Sequence, residues 1–523
     1  MVRDDLKKLL EDLFPEQKIV IDYVPAGKKG DYTTNLAMRL AAGKSLSPLK
    51  IAEDIASKTK SPIINEAVIY PPGFVNFVLN PEYIKEKFKN KEKCNIGKGL
   101  KVNVEFVSVN PTGPINIVNG RAAAFGDSLV RLLNYAGFYA DAEYYVNDSG
   151  RQIELLAESI KQRMNQIEGK EFSIPEDGYH GEYLISVAQH FLQKKITDIE
   201  DIKINAVNYF VEQHRSMLEN FRVIFKNWIR ESEIRNKGYV EKVLKTYEHK
   251  NLIFEQDGAT YLKTTSYNDS RDRVIITKDG RYTYLLPDIA YHLNKIERNY
   301  QNLITILGPD HLGQVDSLYA GLKALDFSEN ILRIIIVQQV KLKKDDVYVS
   351  MSKRAGTFTP LEDLLKEIPV DVIRFFFLMR SSSQHLDFDL DLARTVSEDN
   401  PVYYVQYAYA RIMSILKYAQ EHNITLNENE DLHLIKENEE LALIKYVLRF
   451  EELVEDAVKN LEPFMLTYYL IELSRMFHHF YQKHRVVSDD KVLSQARLYL
   501  IARTAQTIRT GMELLGCSCP ERM

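Results

Sequence analysis

The stretch Val102 to Arg121, VNVEFVSVNPTGPINIVNGR, constrains this chain more than any other. Its first half is a β-branched and aromatic run ending at Asn110-Pro111, which predicts a buried strand entering a sharp loop. Its second half predicts a helix from Gly120 to Tyr135, with Ala122, Ala123, Ala124 and Gly126 where that helix presses close to a sheet. A strand, a tight loop and a helix N-terminus together place backbone N–H groups and a positive dipole end against a phosphate. An ordinary βα turn without a ligand fits the same geometry. The stretch alone therefore says only that the chain holds an α/β unit able to seat a nucleotide.

With 523 residues the chain exceeds one hydrophobic core, and two to four domains are expected. Residues 1–95 predict a small α+β domain. It has an opening helix, a second helix after Gly30-Asp-Tyr-Thr-Thr-Asn35-Leu, a third after Ser47-Pro48, and strands at Glu66 to Tyr70 and Phe74 to Leu79. The lysine-rich segment 85–101 reads as a solvated linker. Residues 96–370 predict a Rossmann-like, doubly wound parallel sheet, interrupted at about 168–270 by a charged, mostly helical insertion. Its second strand is expected at Phe138 to Val146, followed by Asn147-Asp-Ser-Gly150 capping a helix from Arg151. The sheet is expected to resume at Asp272 to Thr277, with a hairpin turn at 278–281 leading into Tyr282 to Leu286. A helix through Asp288 to Lys295 follows, then strands at Leu303 to Leu307 and Ile331 to Val340. Gly308-Pro-Asp310-His311-Leu-Gly-Gln314 lies at the carboxyl end of the first of these strands, where open α/β sheets bind ligands. From about Pro369 the apolar spacing predicts helices only, so residues 371–523 should form a helix bundle.

Net charge is −5, so no whole-molecule positive field would attract nucleic acid, and RNA contact would have to rest on local basic and aromatic patches. Cys94, Cys517 and Cys519 lack paired Cys-x-x-Cys spacing, which argues against a disulfide framework or a structural zinc site and fits a reducing cytoplasm. No apolar run approaches a membrane span, and the N-terminus MVRDDLKKLLEDLF is a charged amphipathic helix start.

The wording of the loop adds more. Glu105-Phe-x-Ser-x-Asn110-Pro-Thr-Gly-Pro, followed by a helix carrying Gly-Arg121, resembles the signature region of the class I arginyl-tRNA synthetases. Further stretches resemble that family in the same order. They are the GDY-x-x-N-L and PGF-x-N-F segments of its N-terminal domain, Asp387-Phe-Asp-Leu-Asp391 and Asp399 to Ala408 of its anticodon-binding domain, and the ending Leu514 to Met523. Several ordered matches are more specific than any one. The resemblance implies an ATP-dependent ligase that forms arginyl-adenylate and passes arginine to tRNA(Arg). It would use ATP with Mg2+ as its substrate complex, hold no tightly bound cofactor or resident metal, and work as a cytoplasmic monomer.

The resemblance also assigns residues. Glu105, Asn110, Tyr284, Asp288 and Gln314 would bind arginine, Asp288 and Tyr284 on the guanidinium side, because a planar cation with five donors is selected by well-placed acceptors. Read one at a time, four of these are equally a strand-edge Glu, a turn Asn, a core Tyr and an N-cap Asp. Pro111, Thr112, Gly113, Pro114, Ile117, Val118, Gly120 and Arg121 would shape the ATP loop, with Gly308, Asp310, His311 and Met351 completing it. The family's His-x-Gly-His motif falls on Asn116, Ile117, Val118 and Asn119. Asn116 and Asn119 can still donate through their amides, but neither carries charge, and Val118 fills space that a glycine leaves for adenine. The Lys-Met-Ser-Lys loop becomes Ser350-Met351-Ser352-Lys353, keeping Ser352 and Lys353 and losing the first lysine. Asn116, Asn119, Ser352 and Lys353 would be the catalytic residues. Tyr404, Tyr407, Arg411 and Met523 would meet tRNA, although most tyrosines at that helical spacing fit a core equally well. The runner-up reading is a catalytically weakened synthetase relative that binds arginine or tRNA. The altered loop favours it and the intact arginine set opposes it.

Overall fold

The structure, a computed structural model, describes residues 1–42, 46–90, 92–349, 360–426 and 431–523. Its centre is a five-stranded parallel sheet built from β1 (Lys101–Glu105), β2 (Tyr139–Val146), β3 (Asn227–Arg230), β4 (Asn302–Leu307) and β5 (Leu332–Ile336), in the order β5-β4-β1-β2-β3. The chain winds outward from β1 in one direction and returns to its other side at β4, so the crevice between β1 and β4 is the topological switch point. The helices used below are α1 (Ile117–Tyr135), α2 (Arg151–Ile167), α3 (Tyr183–Gln193), α4 (Ile199–Asn220) and α5 (Leu285–Glu297).

Alternation along β1 divides its side chains between two layers. Val102 and Val104 are buried in the main apolar core shared with α1. Here the small residues of α1 matter: a Cβ on Gly126 would fall 2.2 Å from the Phe106 ring, so only glycine admits that ring. Glu105, from the alternate set, meets Lys295 of α5 at 2.6 Å, with the ammonium fully buried. On the neighbouring strand the buried Glu143 accepts from Tyr291 (2.7 Å) and from both terminal nitrogens of Arg298 (2.6 and 2.7 Å). Two ionic contacts thus fasten α5 and its C-cap to β1 and β2. Removing one member of such a buried pair typically costs about 3–5 kcal/mol because the other is left uncompensated.

Several sequence expectations change. β3 lies inside the stretch expected to be a helical insertion, where Trp228 and Ile229 extend the parallel sheet. Residues 253–256, 259–262 and 273–276 form a separate three-stranded antiparallel sheet, so Asp272 to Thr277 does not resume the central one. The hairpin after it is limited to an Ile276–Tyr282 bridge, and Leu285 already starts α5. The expected strand Ile331 to Val340 ends at Ile336. Val340 begins another strand, which pairs antiparallel with Val347–Val349 and parallel with Leu386–Asp389. That last strand interrupts the region expected to be wholly helical. Beyond it come α6 (Pro401–Glu421), further helices at 438–448 and 450–460, α7 (Phe464–Lys483) and α8 (Lys491–Leu514).

The N-terminal residues form a four-stranded antiparallel sheet with helices, docked on the helical end of the chain. Buried Glu452 accepts from Tyr23 (2.8 Å) and Tyr32 (3.0 Å), and Arg3 pairs with Glu455 and Asp456.

The Glu143 contact yields a test. Burial alone raises this carboxyl, but the Arg298 hydrogen bonds and the Lys295 charge outweigh it and hold the group below its ordinary value of 4.5. Its contribution is therefore complete above that ordinary value and disappears as pH falls through the lower folded value. Glu143→Gln should lower stability in urea unfolding at pH 7 by about 3 kcal/mol and flatten the loss of stability between about pH 5 and 3. An unchanged pH profile would show that this carboxylate is not held by Arg298.

Candidate active site

The loop between β1 and α1 is strained. Val107 has φ of +69° and Ser108 φ of +41°, a conformation costly for a β-branched residue and held only where surroundings over-determine it. The Ser108 hydroxyl donates to Glu105 Oε1 (3.1 Å) and accepts from the Tyr145 N–H (3.1 Å). Further along, Tyr183 of α3 donates to the Thr112 carbonyl at 2.6 Å, and His214 of α4 lies 2.7 Å from the Gly113 carbonyl. Gly113 itself sits under Tyr183, whose hydroxyl would be 3.1 Å from an added Cβ.

α1 opens with a capping box made by Asn116 and Asn119. Asn116 Oδ1 accepts from the Asn119 N–H (2.9 Å), and Asn119 Oδ1 accepts from the Asn116 N–H (3.3 Å). Each side-chain oxygen is thus spent on the backbone, leaving the amide N–H groups as the available donors. Among the described residues neither amide nitrogen meets a protein acceptor. Asn116 also forms a bridge with Pro360, and the Leu361 N–H donates to the Ile115 carbonyl at 2.9 Å. The segment carrying Met351, Ser352 and Lys353 lies outside the described residues, yet the chain re-enters them beside Asn116.

Three residues expected at the nucleotide face elsewhere. The Ile117 side chain is buried in the core. A Cβ on Gly120 would meet Leu361 at 2.9 Å and Phe377 at 3.2 Å, so its role is close helix packing. Arg121, 1% exposed, donates to the carbonyls of Gln338 (2.8 Å), Gln384 (2.8 Å) and Ser381 (2.9 Å). Burial without a paired carboxylate lowers this guanidinium to about 10. It joins α1 to the chain that follows the sheet, with no surface left for a phosphate. Val118 is half-buried against the main core, and Pro111 is buried while Thr112 and Pro114 are half-buried.

Across the crevice, Tyr284 caps α5 and Asp288 sits in its first turn. A cavity of about 470 Å³ is lined by Tyr284, Asp288 and Gln314 together with Tyr261, Arg271, Asp272, Arg273 and Ser317. Tyr284 is 64% exposed and the Asp288 side chain 42%, so their polar atoms are open to a ligand. His292, one turn below, lies with Nδ1 2.9 Å from the Asp288 carbonyl and 3.1 Å from Asp288 Oδ1, so Nδ1 is the donor. Its Nε2 is 3.3 Å from Thr305 Oγ1, which is 3.5 Å from Glu105 Oε2.

Asn110 approaches the same cavity through a residue that sequence reasoning missed. Its amide donates to Gln152 Oε1 (2.6 Å), and Gln152 Nε2 lies 3.4 Å from Tyr284 Oη. Gln152 follows directly on the Asn147 to Arg151 helix start, the signal that could have marked it. Glu105 is not in the cavity wall. Its carboxylate is 8% exposed and occupied by Lys295 and Ser108, so it supports the site from beneath. Gly308, Asp310 and His311 stand at the open carboxyl end of β4, with His311 Nε2 3.6 Å from Asp310 Oδ2.

The residues expected to meet RNA lie on α6 and α7. His478 packs between Tyr404 (5.1 Å) and Tyr407 (5.7 Å), and Arg411 sits 5.0 Å over Tyr481 while donating to its hydroxyl. Tyr407 is 51% exposed and Met523 57%, whereas Tyr409 is buried.

Comparison with known proteins matches this architecture throughout. The family model described as the class I (R) tRNA synthetase catalytic domain covers residues 83–371, the arginyl tRNA synthetase N-terminal domain covers 1–79, and the DALR anticodon binding domain covers 405–523. The arginine–tRNA ligase of Listeria welshimeri is 41% identical over 520 residues, spanning 96% of this chain and 94% of that protein. The corresponding ligase of Bacillus licheniformis is 40% identical over 525 residues, with the same coverage. The arginyl-tRNA synthetase of Thermus thermophilus has the same fold, with a TM-score of 0.81 at 22% identity over the whole of both chains. That of Plasmodium falciparum superposes with a TM-score of 0.79 at 19% identity, over 100% of this chain and 99% of the other. The chain belongs to the arginyl-tRNA synthetase family.

Proposed function

We propose that this chain activates L-arginine with MgATP to form arginyl-adenylate and transfers the arginyl group to tRNA(Arg). The observation that carries this reading is the cavity beside the start of α5, where Asp288, Tyr284 and Gln314 offer acceptors to a flat cation in a chain so similar to arginine–tRNA ligases. A carboxylate can take two parallel N–H donors from a guanidinium, an arrangement an ammonium cannot match.

In the first step a carboxylate oxygen of arginine attacks the α-phosphorus of ATP and pyrophosphate leaves. In the second, a hydroxyl of the terminal ribose attacks the arginyl carbonyl and AMP leaves. Asp288 and Tyr284 would hold the guanidinium and Gln314 would add a contact. Asn110, whose amide nitrogen is committed to Gln152, keeps its oxygen to accept from the α-ammonium. Asn116 and Asn119 would donate their amides to phosphate oxygens at the N-terminus of α1, beside Thr112, Gly113 and Pro114, with Gly308, Asp310 and His311 on the β4 side. Ser352 would add a hydroxyl donor and Lys353 the positive charge that two neutral amides cannot supply. Tyr404, Tyr407, Arg411 and Met523 would meet the anticodon arm. A cytoplasmic monomer suits the free cysteines, and no described helix is long and apolar enough to cross a membrane.

Arginine-dependent exchange of pyrophosphate into ATP, with tRNA present, tests the reading. Exchange above background is expected. Its absence at saturating ATP would favour a binding protein built on the same fold, the reading that Val118 and the missing histidines favour. Asp288→Asn should raise the arginine KM roughly a hundredfold, the equivalent of about 2–3 kcal/mol lost from a charged hydrogen bond, with little change in the KM for ATP.

The combined change Asn116→His, Val118→Gly, Asn119→His should raise the exchange rate by about tenfold if charge at the loop is limiting. It should also lower the melting temperature, since a good capping box is worth about 1 kcal/mol and a helical glycine costs about as much. An unchanged rate would place the compensating charge elsewhere, with Lys353 the first candidate.

A further inference from the structure

The strained loop is gripped at two points, Val109 and Gly113, by a buried tyrosine–histidine pair. We infer that Tyr144 and His214 are positioning residues for ATP, holding the β1–α1 loop in its reactive shape through the backbone of Val109 and Gly113. The inference rests on the reading that this loop seats ATP.

Tyr144 is fully buried on β2, its ring stacked on Trp228 (4.3 Å, 20°) and edge-on to Phe225 (5.4 Å). That packing aims its hydroxyl without any help from hydrogen bonding. The hydroxyl accepts from the Val109 N–H (3.1 Å) and lies 2.9 Å from both the Val109 carbonyl and His214 Nδ1. His214, 1% exposed on α4, places Nε2 2.7 Å from the Gly113 carbonyl. A carbonyl only accepts, so Nε2 carries the proton. Burial holds the imidazole below its ordinary value, which keeps the ring neutral and leaves Nδ1 as an acceptor for the Tyr144 hydroxyl. The Val109 N–H thus donates to the Tyr144 hydroxyl and His214 Nε2 to the Gly113 carbonyl, while the hydroxyl's one proton faces two acceptors, the Val109 carbonyl and His214 Nδ1.

Only the backbone of residues 109 and 113 is held, and the three residues between these points are Asn110, Pro111 and Thr112. Tyr183 of α3 holds the Thr112 carbonyl. Two of these three side chains come from the helices inserted between β2 and β3, which gives the insertion a direct purpose at the site. Left-handed backbone at two non-glycine residues, Val107 and Ser108, persists only under such constraint. Without the clamp the loop would relax, and the amides at the start of α1 would shift with it.

Tyr144→Phe removes only the hydroxyl and keeps the stacked ring. In pyrophosphate exchange at 25 °C, kcat/KM for ATP should fall at least about tenfold, while the KM for tRNA, bound on a remote surface, stays within about twofold. His214→Leu should fall comparably. His214→Gln, which keeps an N–H donor for the Gly113 carbonyl, should recover most of the loss. Unchanged kcat/KM for ATP in folded Tyr144→Phe and His214→Leu proteins would overturn the inference.

A measurement on the unaltered enzyme covers the case in which the variants do not fold. Trp228 is the chain's single tryptophan, and its emission should change on adding MgATP alone. Constant emission at ATP concentrations that saturate exchange would also overturn the clamp. Val118→Phe separates the two readings. If that substitution leaves kcat/KM for ATP unchanged, the loop is not the ATP seat. If it lowers kcat/KM while Tyr144→Phe does not, the clamp alone is wrong.

Discussion

A lysine with no exposed surface is expensive to bury, and Lys295 is stable where it lies because Glu105 meets it at 2.6 Å. The same carboxylate accepts from Ser108 with its other oxygen. One buried glutamate therefore touches both halves of the site, the helix that carries Asp288 and the strained loop that leads to α1. Asp288, His292 and Lys295 follow one another down a single face of α5, so fixing Lys295 against β1 fixes Asp288 two turns above it. The Glu143–Arg298 contact repeats the arrangement on β2 and resists rotation of the helix about the first anchor. Such pairs add little net stability over apolar packing, but they specify position, and position is what a recognition site needs.

The chemistry of the nucleotide side follows from which atoms remain free once the fold is satisfied. Asparagine at both ends of the capping box closes the first turn of α1 well, because each side-chain oxygen finds a backbone N–H. That use of the oxygens leaves two neutral amide donors, where an imidazolium would add charge to the same hydrogen bond. Arg121, which could have supplied that charge, is held by three carbonyls that join α1 to the following segments. The N-terminus of α1 still presents its positive dipole end there.

Much of this was legible in the sequence wherever a local pattern decides the outcome. The β-branched run from Val102, the small residues of α1 and the helical spacing beyond residue 400 each mark an element from its own residues, although the strand ends at Glu105 rather than running to Asn110-Pro111. Other features depended on distant partners. Glu105 reads as a ligand until a lysine 190 positions later neutralises it. Arg121 reads as a phosphate contact until carbonyls beyond residue 337 surround it. The strand Leu386–Asp389 is only four residues long, and its pairing with 340–344 carries no local signature. Gln152 looks like an ordinary first-turn residue, and it takes the fold to bring Asn110 and Tyr284 to its two ends.

If the cavity at Asp288 holds a planar five-donor cation, as proposed, it should reject a neutral molecule of the same shape. L-citrulline replaces one guanidinium nitrogen with a carbonyl oxygen, which would face the Asp288 carboxylate and leave it unpaired. The direct measurement is kcat/KM for pyrophosphate exchange with arginine and with citrulline, tRNA present in both. A preference for arginine of at least about 10⁴ is expected for a site that selects by buried hydrogen bonds. Comparable rates with the two amino acids would contradict the assignment of Asp288 and its supporting network to guanidinium recognition.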